Sequence, residues 1–173
     1  MSETIDLKTT SRNTGTVDVI EFSKRPIILP DGSIAGEIEN REVIQNTFLY
    51  TGRQIVRELM DGTATEFDPI AKFAIGDGAY LPGAINPLVD PPKAQADYDG
   101  LKNELFSKTF SKKTNPSQIA ALFITVLEPQ EFEGNWNEIM LKTANDVPFS
   151  MLTTRNKVKS PGTFLVFRWV VVF

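Results

Sequence analysis

The chain of 173 residues contains no cysteine and no histidine. Without cysteine there are no disulfides, no thiol nucleophiles and no cysteine-ligated metal centres. Without histidine there is no imidazole base, no histidine-based triad and no imidazole switch near neutral pH. The lack of cysteine fits any redox compartment. No apolar run reaches the roughly 18 residues of a helical membrane span. Residues Met1–Asp6 are polar and lack the basic start and apolar core of a secretory signal, so synthesis in the cytoplasm is expected. With 18 basic and 22 acidic residues the formal net charge is −4. That balance argues against a dedicated nucleic-acid binder, and no nucleic-acid partner is expected.

A chain of this length buries a sizeable core without staples. It shows no internal repeat and no low-complexity tract. Residues 1–40 read as an N-terminal arm in which Val17, Val19, Ile20 and Phe22 form a short strand. Ile27-Ile28-Leu29-Pro30-Asp31-Gly32-Ser33-Ile34 then reads as a β-hairpin, because Pro presets φ and Gly accepts a positive φ in the turn. Residues 41–173 read as a single β-rich domain.

The main helix is expected within Asn40–Asp61, where Ile44, Phe48, Ile55 and Leu59 fall on one stripe. Gly52 interrupts that stripe at a helix cost of about 1 kcal/mol. Thr51 is a candidate cap for a shorter helix near 51–61, ended by Asp61-Gly62. Phe73-Ala74-Ile75 is a short apolar run stopped by the tight turn Gly76-Asp77-Gly78, which is expected to pass through positive φ. A long proline-bearing stretch, Ala79–Tyr98, follows. Leu101–Phe110 reads as either a helical turn or a strand.

Ile119–Leu127 and Phe164–Phe173 are apolar on both alternating faces, so both are expected as central strands buried on two sides. Arg168 breaks the second pattern and requires a carboxylate or carbonyl partner if buried. Trp136–Leu141 and Val147–Thr154 are shorter strand candidates. The expected fold is α+β, mostly β: an antiparallel sheet domain with one main helix packed on it.

Chemistry-bearing constellations are sparse. Asp97-Tyr98-Asp99-Gly100 lacks the ligand count and register of a calcium loop and reads as a surface turn. Glu128, Glu131, Glu133 and Glu138 surround Trp136, a pattern from which a glycosidase can be built, but solvated loop residues are the simpler reading. Lys102, Lys108, Lys112 and Lys113 form one basic strip, and Arg155, Lys157 and Lys159 another; both read as solvated faces or as contacts to an acidic partner. No catalytic residue, cofactor-binding residue or metal ligand is assigned, no cofactor is expected, and the chain is not expected to be an enzyme. Trp136, Tyr80 and Tyr98 offer stacking platforms for sugar rings, so a carbohydrate-binding β-module is an alternative reading.

Taken in order, Thr51-Gly52 opens a helix and Phe73-Ala74-Ile75-Gly76-Asp77-Gly78 follows. Next come a proline-bearing loop, Leu101-Lys102-Asn103-Glu104-Leu105-Phe106, Ile119–Leu127, Trp136-Asn137-Glu138-Ile139-Met140-Leu141, and a closing strand with Arg168-Trp169. This series resembles the N-terminal, baseplate-attached domain of tail-fibre and collar proteins of contractile-tailed phages and related contractile injection systems. The resemblance spans about Thr51–Phe173, with Met140 where that family carries glycine. It implies that Gly76, Asp77, Gly78 and Glu138 are a turn and fold signature. It also implies a structural subunit that attaches fibres to a baseplate or forms part of the fibre network. Because the chain ends where a fibre protein continues into a shaft, the subunit is expected to be an adaptor or baseplate-rim component. The implied partners are other tail, baseplate or fibre proteins, and the implied assembly is a homo-oligomer, with a trimer favoured. A C-terminal strand shared between protomers would place Phe167, Trp169, Val171 and Phe173 in the interface.

Overall fold

The computed structural model describes residues 3–4, 15–64, 68–79 and 94–172. In chain order, β1 is Glu3–Thr4, β2 Thr16–Phe22, β3 Ile27–Ile28, β4 Ile34–Gly36, β5 Ile38–Gln45 and β6 Thr47–Phe48. The helix α1 is Tyr50–Asp61, followed by β7 Ile70–Gly76, β8 Glu104–Thr109 and β9 Lys112–Ser117. The last strands are β10 Ala120–Leu127, β11 Gly134–Thr143, β12 Pro148–Lys159 and β13 Phe164–Val172. The fold is therefore α+β and mostly β, built from antiparallel sheets with one helix.

The chain divides into two compact units, and neither is contiguous. The first takes Met1–Gln45, Phe110–Gly134 and Val158–Phe173; the second takes Asn46–Thr109 and Asn135–Lys157. An arm at 1–40 followed by one domain at 41–173 is thus not what forms. Strand β2 is paired on both sides, to β5 and to β13, because Val17, Val19, Ile20 and Phe22 each need burial.

The first unit holds a five-stranded sheet in the order β5-β2-β13-β10-β9. One face carries Ile20, Phe22, Leu122, Ile124, Val126 and Val166, and Ile34 from the β3–β4 hairpin closes over it. The hairpin forms as its Pro-Asp-Gly turn dictates. Gly32 has φ of 85°, and a Cβ there would come within 2.6 Å of the Leu122 side chain. The opposite face, with Phe167, Trp169 and Val171, is buried as well, at 1%, 1% and 3% exposed. These three side chains are core within a single chain, so they offer no free surface for a second protomer. Phe173 lies outside the described residues.

Arg168 is 1% exposed, and its partner is the residue directly opposite on β2. Its Nη1 donates to Asp18 Oδ2 at 2.8 Å. Arg41 on β5 donates to Asp18 Oδ1 at 2.9 Å, so one carboxylate serves two guanidiniums. Burial pulls the Arg168 guanidinium below its ordinary value against the opposing pull of Asp18.

The second unit holds the sheet β6-β12-β11-β7-β8 and α1. Leu49, Ala94, Met140 and Met151 form a core cluster there. The helix begins after Leu49, not at a Thr51 cap: Leu49 makes no side-chain cap bond, and Thr51 Oγ1 instead donates to the Pro148 carbonyl at 2.5 Å. Gly62 in the left-handed region ends it, as Asp61-Gly62 predicts. The first half of the expected helix is strand, since 40–45 belong to β5. Gly52 does not merely interrupt the helix. It is the buried residue of α1, and a Cβ there would overlap the Phe149 carbonyl oxygen and come within 2.8 Å of the Phe48 ring. The absent side chain lets α1 lie against β12, where the Phe48 and Phe149 rings pack at 4.7 Å.

These two views of Gly52 give opposite signs. An exposed helix interior predicts that Gly52→Ala stabilises by about 1 kcal/mol. The packed geometry predicts a loss of about 1–3 kcal/mol from overpacking. Chemical denaturation of the variant is expected to show the loss; a gain would mean that α1 does not sit on β12.

Candidate functional site

The residues of the expected fold signature meet at one place in the second unit. Glu138 lies on β11 directly opposite Gly76 on β7. Its side chain is fully buried. A buried carboxylate is costly unless donors replace its water, and here three backbone amides do so. Gly78 N–H and Asn103 N–H donate to Oε1 at 3.1 and 2.9 Å, and Lys102 N–H donates to Oε2 at 3.2 Å. The carboxylate therefore ties the Gly76-Asp77-Gly78 turn to the segment leading into β8.

Neighbouring polar groups complete the clasp. Asn137 accepts from Ala79 N–H and donates to the Asp77 carbonyl, both at 2.9 Å. Asn103 Nδ2 donates to Asp77 Oδ1 at 2.6 Å. Asp77 N–H donates to the Asn103 carbonyl at 3.3 Å. The two glycines are present for space rather than for φ: neither Gly76 nor Gly78 has a positive φ. A Cβ at Gly76 would overlap the Asn103 carbonyl oxygen and lie 2.7 Å from Glu138 Oε1. A Cβ at Gly78 would lie 2.6 Å from the Asn103 nitrogen. The expectation of a positive-φ turn is corrected accordingly. Chemically, Glu138 has its oxygens engaged by amide donors and acts as an organising anion.

A second cluster stands nearby on the same sheet. Lys72 and Lys142 are register partners on β7 and β11, a like-charge pair that destabilises unless it is bridged. Asp146 bridges them, at 2.8 Å from Lys72 and 3.1 Å from Lys142. Glu104 on β8 accepts from Lys142 with both oxygens at 2.9 Å. Burial pulls the Lys142 ammonium down, but hydrogen bonds and charge from Glu104 and Asp146 outweigh it and hold it above the ordinary lysine value. Asp146 is held below its ordinary value, first by Lys72 and then by Lys142.

The other candidates disperse. Glu128 pairs with Arg25 at 2.9 Å, and Glu131 accepts from the Glu128 amide, so neither shares a site with Glu138. Trp136 is 1% exposed and fills core instead of offering a stacking platform. The Tyr98 ring packs in the cluster with Leu49 and lies under the Lys102 ammonium at 5.2 Å; Tyr80 lies outside the described residues. The basic strips break up too. Lys112 donates to the Leu29 carbonyl at 2.5 Å, and Lys113 lies over the Phe110 ring at 5.4 Å. Lys159 is 1% exposed and donates to the Pro129 carbonyl at 3.2 Å. Among the described residues no group of three or more acidic side chains is placed to hold a metal ion. No described helix is long and apolar enough to cross a membrane. Missed in the sequence were the partners of Glu138, since backbone amides at 78, 102 and 103 carry no side-chain signature. No protein-family model, curated protein or solved structure matches the chain.

Two predictions follow from this geometry. Glu138→Gln retains one acceptor oxygen but turns an NH2 group toward an amide donor. It is expected to cost about 1–3 kcal/mol in denaturant unfolding, and Glu138→Ala more, because three buried donors then lack acceptors. Equal stability of wild type and Glu138→Ala would exclude the clasp. The second concerns pH. Asp146 has a lowered folded-state value, so its contribution is present above the ordinary 3.8 and is lost as pH falls through the lower folded value. Lys142 has a raised value, so its contribution is present below the ordinary 10.5 and is lost as pH rises through the higher folded value. In a pH series of denaturation midpoints, Asp146→Asn is expected to flatten the acid limb; an unchanged limb would remove Asp146 from the account.

Proposed function

We propose that the chain is a structural subunit of a phage-like tail or contractile injection particle, attaching fibres to the baseplate or forming part of the fibre network. It is made in the cytoplasm and then assembled into the particle, where it works as a homo-oligomer, with a trimer favoured. The observation that carries the reading is the spending of Glu138 on three backbone amides. The residues that resemble the attachment-domain motifs converge on a clasp, and a clasp holds a surface in shape without performing a reaction. Other tail, baseplate or fibre proteins are the partners.

Contacts in the particle fall on surfaces other than the buried Phe167, Trp169 and Val171. Exposed apolar side chains suited to them include Met60 at 83%, Ile27 at 64% and Val158 at 62%. The test is co-sedimentation: tag the chain in its source cell, purify large tail-like particles and identify their proteins by mass spectrometry. The chain is expected to travel with sheath and tube proteins and to form a stable oligomer at tens of micromolar in isolation. A monomeric chain confined to the soluble fraction would overturn the reading.

A further inference from the structure

The sheet of the first unit has two edges, β5 and β9, and they differ in kind. Strand β9 is broken by Pro116, which has no N–H to offer a partner, and its pairing to β10 shifts register. Such features close an edge. Strand β5 is eight residues long without proline, and residues 39–43 are exposed on both of its faces. Among the described residues no strand pairs with its outer side. Apart from Ile38 against the core and Arg41 on Asp18, a strand so little buried is held by its backbone pairing to β2, and it presents an open ladder of N–H and C=O groups.

The side chains along that edge state what fits it. Beyond the bulge at Glu39, the register places Arg41 opposite Ile20 and Val43 opposite Asp18. Arg41 and Val43 therefore share the face that carries Asp18 and Arg168. Val43 is 53% exposed. Arg41 leans on Asp18 through Nε at 3.2 Å and Nη2 at 2.9 Å. Asp18 must also serve Arg168, whose buried Nε and Nη2 make no hydrogen bond. Two guanidiniums thus share one carboxylate, and Asp31, the other negative charge that acts on Arg168, accepts from Ser33 and leaves the two free guanidinium nitrogens without an acceptor.

We propose that the outer edge of β5 takes an extended segment of another polypeptide as an added strand, with an acidic side chain opposite Arg41 and an apolar side chain two residues away opposite Val43. Main-chain bonds extend the sheet, and alternate side chains select the partner. The added carboxylate takes Arg41 and leaves both oxygens of Asp18 to Arg168. A second copy of β5 does not meet this need. Antiparallel pairing about a twofold axis sets Arg41 against an odd-numbered residue of the other copy. Of these, Arg41, Val43 and Gln45 carry no acid, and Glu39 is the bulged residue. The inference stands on the sheet geometry and does not depend on the tail-particle reading.

The test uses the full chain and two blocked peptides, TVTETVT and its lysine counterpart TVTKTVT. Each presents valine two residues from the central charge in either strand direction. Binding is followed through backbone amide shifts of residues 40–45. The glutamate peptide is expected to bind about fivefold more tightly than the lysine peptide, the size of an opposite-charge against a like-charge cross-strand pair. Arg41→Gln is expected to erase that preference, and Val43→Lys to weaken both peptides, with the fold intact because both side chains are exposed. Equal affinities, shifts confined to other strands, or protection of 40–45 by self-association without peptide would each overturn the proposal.

Discussion

A carboxylate with no exposure to water organises the second unit. Glu138 must replace its lost hydration, and it does so with the amides of Gly78, Lys102 and Asn103. The choice of neighbours follows from that demand. Position 76 is glycine because any side chain would crowd Oε1, and position 78 is glycine because the segment at 102–103 passes against it. Asn137 and Asn103 then secure Asp77 from two sides. What reads as a turn motif is one half of a joint whose other half lies on β11.

The first unit obeys a related rule with a different outcome. One of its buried charges, Arg168, faces Asp18 across the sheet, as a guanidinium buried in a strand requires. Here the carboxylate is divided between two arginines, so the requirement is met only in part. One buried charge is closed off by the chain itself and rigidifies its surroundings. The other shares its carboxylate with Arg41 on the exposed edge strand β5, which leaves room for a partner's charge. The contrast separates a part of the molecule that holds shape from a part suited to assembly.

Legibility in the sequence followed the range of the interaction. Strands β10 and β13 were readable because two-sided apolarity is a local pattern, and their central positions in the sheet agree with it. The β3–β4 hairpin and the Gly62 helix end were readable because turn chemistry is local. Strand β5 was not: Ile44 and Phe48 share a helical spacing, and its charged residues show no alternation because neither face is buried. Strand β9 failed for the same reason, being polar throughout. Gly76, Gly78 and Glu138 could be picked out, but not the reason for the glycines, since the contact joins positions 60 residues apart. The terminal apolar strand was readable as buried, while what it is buried by was not. Within one chain that burial is already complete at Phe167 and Trp169.

The central claim is that Glu138 holds the 76–78 turn and the 102–103 segment together as one rigid joint. Native-state hydrogen exchange of the individual amides tests it most directly. Gly78, Lys102 and Asn103 lie outside the strands, so without the carboxylate their amides would exchange at the rate of an open loop. The account predicts that all three are protected to the level of β7 and β11 and exchange only with opening of that sheet. Loop-like exchange at these three positions, beside slow exchange in the flanking strands, would contradict it.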